Sequence, residues 1–195
     1  MKFNEFIGIQ EDAVSEDNCR KIISFFESNK NSHTLGVVSP IGDNKTKSID
    51  FSTKKSIDFC RIFTMEDLPE QIITECFKKY IPIYENKFDS LDKLERWQVC
   101  MNYNIRKYEP GMAFYKEHCE VHGTSGQTSK RMLVWMLYLN DVLSGGETYF
   151  RYQDLKVRPE TGKFLIWPPY WTHPHYGLPS ETETKYIATG WFEFV

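Results

Sequence analysis

The 195-residue sequence predicts an α+β chain, with helices in its first half bracing a barrel-like β-sandwich in its second. Three observations predict it. Two amphipathic stretches of helical period precede residue 97. From Trp97 onward, short β-type segments alternate with turn signals. One of those segments, 132–139, is apolar on both faces, as a strand covered from both sides must be. Hydrophobic residues make up 41% of the chain and aromatic residues 15%, enough for a sizeable core. The length fits one domain, divided into a helical and irregular support region (1–96) and a β core (97–195).

Each element follows from local chemistry. Ser15 is an N-cap, and Glu16 and Asp17 suit the positive end of a helix dipole. Ile22, Ile23, Phe25 and Phe26 continue this helix as an apolar stripe to about Ser28. Residues 31–58 are rich in Ser, Lys, Asp and Gly and read as a long loop or loosely paired strands. A second helix starts near Asp67 with Pro69 in its first turn, buries Ile72, Ile73, Cys76, Phe77 and Tyr80, and ends or bends at Pro82. Residues 97–106 alternate, with Trp97, Val99, Met101, Tyr103 and Ile105 on one face. Turns at 109–111, 140–141, 144–146 and 159–162 separate strands near 148–152, 155–157 and 163–167, and residues 185–194 form the last strand.

Composition excludes some functions. The net charge is −3 and no long basic run appears, so no nucleic-acid partner is expected. The most basic patch, Lys45, Lys47, Lys54 and Lys55, is diluted by Asp43, Asp50 and Asp58 and reads as a solvated loop. The five cysteines form no C-x-x-C pair. Together with the lack of a signal-peptide pattern or a bilayer-length apolar run, they predict reduced thiols, a cytoplasmic setting and no membrane partner.

The chemistry concentrates at His118-Cys119-Glu120 and His175. Side chains alternate along an extended chain, so His118 and Glu120 share a face and Cys119 opposes them. With His175 from a facing strand, they occupy three adjacent corners around a metal and leave three open. Two histidines and one carboxylate in that arrangement mark mononuclear non-haem Fe(II) sites. On the last strand, Lys185, Ile187, Thr189 and Trp191 share one face. A lysine there either snorkels to water or meets an anion.

From Tyr108 to Trp191 the sequence resembles the 2-oxoglutarate- and Fe(II)-dependent dioxygenases, in their prolyl 4-hydroxylase-like branch. The residues that carry the resemblance are Tyr108, Gly111, His118-Cys119-Glu120, Arg131 and Tyr138-Leu139-Asn140. They continue through Gly145-Gly146-Glu147-Thr148-Tyr149-Phe150, Pro159-Glu160-Thr161-Gly162, His175, Pro179, Lys185 and Trp191. Glu120 departs from the usual aspartate by one methylene. The resemblance implies a double-stranded β-helix (jelly-roll, cupin-like) core with N-terminal supporting helices. It implies that His118, Glu120 and His175 bind Fe(II), and that Lys185 pairs with the distal carboxylate of 2-oxoglutarate. Tyr108, Thr148 and Trp191 would be further walls of the co-substrate pocket. O2 is the oxidant, ascorbate a candidate reductant, and succinate and CO2 the co-products of hydroxylating a peptidyl or small-molecule substrate.

The remaining candidates stay open between roles. His173 competes with His175 as a ligand, and the spacing to Pro179 and Lys185 favours His175, leaving His173 as an outer donor or a rim residue. His122 reads as exposed or substrate-side. Arg131 is an ion-pair partner or a substrate contact. Trp171, within Trp167-Pro168-Pro169-Tyr170-Trp171, belongs to a hydrophobic corner or to a cleft wall. The segments 31–56 and 119–130 are lid candidates. Two rival readings share the barrel: a cupin-like metal protein of another class, and a non-catalytic β-barrel binding module.

Overall fold

A computed structural model describes residues 1–36, 49–121, 123 and 126–195. Their strands are β1 (Lys2–Asn4), β2 (Ile7–Gln10), β3 (Thr34–Leu35), β4 (Ile57–Ile62), β5 (Trp97–Val99) and β6 (Asn102–Tyr108). They continue with β7 (Arg131–Tyr138), β8 (Thr148–Phe150), β9 (Leu155–Val157), β10 (Phe164–Trp167), β11 (His175–Gly177) and β12 (Lys185–Phe194). The helices are α1 (Glu16–Ser28) and α2 (Leu68–Lys87). A nine-stranded sheet runs β1-β2-β10-β7-β12-β6-β4-β3, with β5 also paired to β12. A three-stranded sheet runs β11-β8-β9. The pairings between named strands are antiparallel.

Strand alternation divides the large sheet into two cores. Leu133, Trp135 and Leu137 of β7, Phe164 and Ile166 of β10, and Ala188 and Phe192 of β12 pack on α1 and α2. Their neighbours Val134, Met136, Tyr138, Leu165, Trp167 and Ile187 face the other way, toward the small sheet. β7 is buried along nearly its whole length, as its unbroken apolar run predicts.

The helices start as expected. Ser15 Oγ accepts from the Asn18 amide at 3.3 Å, and Asp67 and Pro69 stand at the start of α2. Pro82, however, does not end α2, which continues to Lys87. Proline frees the carbonyl of residue 78, but Lys78 and Pro82 are both on the exposed side where water can meet it. Ile81 and Tyr84 meanwhile anchor the helix to the core. The first half is also more than helices and loop. β1 and β2 join the large sheet through β10, and β4 joins it through β6. These strands are too short for periodicity to reveal, and their partners lie far along the chain. Met101 is exposed, because the chain breaks between β5 and β6 and loses its alternation there.

Candidate metal and co-substrate site

His118 and His175 are held together by backbone. They form an isolated antiparallel bridge, with amide-to-carbonyl bonds of 3.0 and 2.9 Å in the two directions. Thus the H-x-E segment is not part of a long strand, yet the bridge keeps it extended. Two residues on, the Glu120 amide donates to the Pro169 carbonyl at 2.9 Å. Candidate ligand atoms of His118, Glu120 and His175 lie within 4.8 Å of one another. Glu120 Oε1 is 3.3 Å from His118 Nε2 and 3.8 Å from His175 Nε2.

The orientation of both rings favours ligation. Each Nδ1 faces a backbone carbonyl at 3.0 Å, that of Lys116 for His118 and that of His173 for His175. A carbonyl only accepts, so Nδ1 carries the hydrogen and Nε2 keeps its lone pair for the cluster. Phe114 stacks on His118 at 3.7 Å, and Trp167 meets His175 edge-on at 5.2 Å. Burial and, after it, the charge of His118 outweigh the opposing Glu120 and together lower the pKa of His175 to about 4. His175 is therefore neutral near pH 7, the form that binds a metal.

Burial alone would raise the Glu120 carboxyl, but His118, Arg131 and His175 together hold it well below the usual carboxylate range. Its second oxygen accepts from Trp191 Nε1 at 3.0 Å and from Arg131 at 3.1 Å. Arg131 also reaches the Glu120 carbonyl at 2.8 Å and lies 3.7 Å over the Trp191 ring. Of the two roles left open for Arg131, the contacts are those of the ion-pair partner. Trp191 stands against Glu120 and is not among the residues that line the cavity beside the cluster.

That cavity, about 50 Å³ in volume, runs from His118, Glu120 and His175 to Tyr108, Thr148 and Lys185. Lys185 is buried, its amine donating to the Gly146 carbonyl at 2.7 Å and standing 4.8 Å over the Tyr108 ring. Gly145 and Gly146 both have positive φ, and a Cβ on Gly145 would come 2.3 Å from the Pro179 carbonyl oxygen, so this turn suits glycine. Burial lowers the Lys185 pKa to about 8, partly offset by Glu147. No carboxylate hydrogen-bonds the amine among the described residues. Thr148 Oγ1 accepts from the Tyr138 hydroxyl at 2.7 Å, which fixes its side chain in the cavity wall.

Other expectations fare differently. The His173 ring is buried but turned away, with Nδ1 2.9 Å from Thr172 Oγ1, so it is not a rim residue. Its backbone carbonyl, not its imidazole, supports His175. Trp171 is 74% exposed and does not line the cavity. Trp167, four residues earlier, takes the wall position because the alternation of β10 turns it inward. His122 lies outside the described residues, as do parts of both lid candidates. Lys54 and Asp58 are not solvated: both are buried and joined at 2.6 Å. Lys45, Lys47 and Asp43 lie outside the described residues.

Residues 103–193 match the family described as the 2OG-Fe(II) oxygenase superfamily. A putative prolyl 4-hydroxylase of Acanthamoeba polyphaga mimivirus is 29% identical to this chain, over 57% of the chain and 51% of the relative. The chain spans about half the length of the curated relatives it matches, or less. Among solved structures, a viral collagen prolyl hydroxylase from Paramecium bursaria Chlorella virus-1, in a 2OG complex, superposes with a TM-score of 0.66. It is 18% identical, and the match covers 98% of this chain and 97% of that one. A Trichoplax adhaerens prolyl hydroxylase, bound to a peptide fragment of the hypoxia inducible factor oxygen degradation domain, superposes with a TM-score of 0.66. It is 14% identical, with coverage of 96% and 83%. The mostly antiparallel sheet with two helices is thus the fold of these prolyl hydroxylases. Among the described residues no helix is long and apolar enough to cross a membrane.

Proposed function

We propose that this protein is a member of the 2OG-Fe(II) oxygenase superfamily that its residues 103–193 match, a 2-oxoglutarate- and Fe(II)-dependent hydroxylase of prolyl 4-hydroxylase type acting on a peptidyl substrate. One observation carries the reading. Two imidazoles with free Nε2 atoms and one ionised carboxylate converge at one end of a cavity, and a buried lysine without a carboxylate partner stands at the other. His118, Glu120 and His175 would hold Fe(II), a donor set suited to that ion with open positions left. Lys185 would pair with the distal carboxylate of 2-oxoglutarate, and Tyr108 and Thr148 would wall that co-substrate. Bound iron would supply the oxidation of a C–H bond by O2, coupled to conversion of 2-oxoglutarate to succinate and CO2.

The protein's own residues do the positioning. The Lys116 and His173 carbonyls set the tautomers of the ligands. Trp191 and Arg131 orient the longer glutamate through its second oxygen. Phe114 and Trp167 exclude water from the imidazoles. We read the two sheets as the walls of a double-stranded β-helix. The whole of 1–195 is read as one dioxygenase domain, with 1–96 bracing 97–195. The likeness to a prolyl hydroxylase bound to a peptide favours a peptide substrate over a free small molecule. Ascorbate would serve as reductant.

The test is succinate release from proline-containing peptides, with mass spectrometry for the gain of one oxygen. Turnover that requires Fe(II), O2 and 2-oxoglutarate is expected. Undiminished turnover in H118A or H175A would overturn the reading. No release, with stability and peptide binding unchanged by chelators, would favour a non-catalytic barrel, and tight zinc or manganese without 2-oxoglutarate binding would favour a cupin-like protein of another class.

A further inference from the structure

The cavity contains a cation that the roles above leave unused. Arg106 projects from β6 on the same face as Tyr108, and both line the cavity. Across the sheet from it, on β4, stands Asp58. Arg106 Nε is 3.4 Å from Asp58 Oδ2 but makes no hydrogen bond. Asp58 is already engaged, by Lys54 at 2.6 Å and by Ser56 at 2.7 Å. A buried cation, Lys54, and a half-buried one, Arg106, therefore share one carboxylate. The acid in the metal cluster, Glu120, is occupied by Trp191 and Arg131. With Lys185, the enclosed space presents, among the described residues, two cations short of an anion, an arrangement that costs stability until one arrives.

The strand register gives their spacing. Lys185 pairs across from Tyr108, and Ile187 pairs across from Arg106. Along β12, Arg106 thus stands two residues beyond Lys185, about 7 Å at the rise of a strand. A five-carbon diacid, four bonds of about 1.5 Å with an oxygen at either end, covers that interval. Arg106 lies on the metal side of Lys185: the face of β12 runs from Lys185 past Ile187, opposite Arg106, to Trp191, whose indole donates to Glu120 at 3.0 Å.

We propose that Arg106 binds the keto acid end of 2-oxoglutarate, so that Arg106 and Lys185 read the diacid from its two ends. This rests on the hydroxylase reading above. Asp58 is the positioning residue that holds the guanidinium beside the cavity, and Lys54 keeps Asp58 from neutralising it fully.

The experiment is calorimetric binding to the full chain loaded with Mn(II), which avoids turnover. Two probes are used: 2-oxoglutarate, and 2-oxovalerate, which has the same keto acid end but a methyl at the other. K185M is expected to weaken 2-oxoglutarate by about tenfold or more while leaving 2-oxovalerate within about twofold of wild type. R106Q is expected to weaken both probes by about tenfold, and R106K to recover part of the loss. R106Q leaves Lys54 and Asp58 paired one to one, so its metal-free melting temperature should match wild type. If R106Q and R106K bind both probes within about twofold of wild type, the proposal falls, and Arg106 serves the oxidised substrate or the β4–β6 pairing instead. If wild type itself binds no 2-oxoglutarate, the hydroxylase reading falls, a separate outcome.

Discussion

The nine-stranded sheet buries both of its faces, but it buries different chemistry on each. Toward the helices, Phe77 packs against Trp135 and Phe192 at 5.1 Å centroid distances. The buried acid on that side, Glu70, is met at one oxygen by the Tyr103 hydroxyl at 2.6 Å and by Arg61 at 3.3 Å, so its charge has a cationic partner although its second oxygen has no hydrogen bond among the described residues. Toward the small sheet, the same strands present Lys185, Arg106 and Thr189, with Glu120 and His175 facing them. One face is closed by packing. The other keeps a cavity whose charges are incompletely paired among the described residues, the property on which the proposed metal and acid sites rest. Neighbouring residues of a strand thus serve stability and chemistry in alternation.

Substitutions should separate the two faces. Trp135→Ala on the helix side is expected to cost about 3–5 kcal/mol of stability, measured by denaturant unfolding. His118→Ala on the cavity side is expected to abolish metal binding, with affinity down by at least about a hundredfold in metal titration, while the metal-free protein melts near wild type. A comparable loss of stability in His118→Ala would break the comparison.

Lys185→Met goes further: the metal-free protein should melt at or above the wild-type temperature, because a buried cation without a counter-ion is replaced by a methyl. The same lysine sharpens the comparison through pH. Its folded pKa is about 8 against an ordinary 10.5. Between those values the unfolded chain holds the proton and the folded chain does not, so this residue's contribution to stability rises with pH across that window. The charged form is the one that pairs with a carboxylate. The affinity of the Mn(II)-loaded protein for 2-oxoglutarate should therefore be flat below pH 8 and fall above it, by up to about tenfold per pH unit. An affinity that stays level to pH 9 would separate Lys185 from the acid.

Trp191→Phe removes the indole donor to Glu120 and should lower metal affinity by about tenfold, read by competition with a chelating dye. The smallest effect belongs to the helix side. Ser15→Ala should cost about 1 kcal/mol from the lost cap of α1 and leave metal affinity unchanged.

Much of this could be read before any coordinates. The first helix and its cap, the unbroken apolar strand β7 and the bounds of β12 rest on nearest-neighbour chemistry, which a sequence displays directly. The candidate ligand triad is legible because two of its members are two residues apart. Between Trp167 and Trp171 composition marks an aromatic cluster without saying which ring a strand turns inward. Arg106 went unnoticed because its meaning lies in Asp58, 48 positions earlier in the numbering and adjacent only through the β4–β6 pairing.

Residue identities and spacings alone therefore specify the donor set, the buried lysine's strand face and the helices, since period and capping act within a few residues. Folding adds the bridge that brings His175 to His118, the carbonyls that orient both rings, and the pair of cations left with one carboxylate between them. Those features depend on contacts between distant segments, and burial changes the energy of a charge in a way no local pattern encodes.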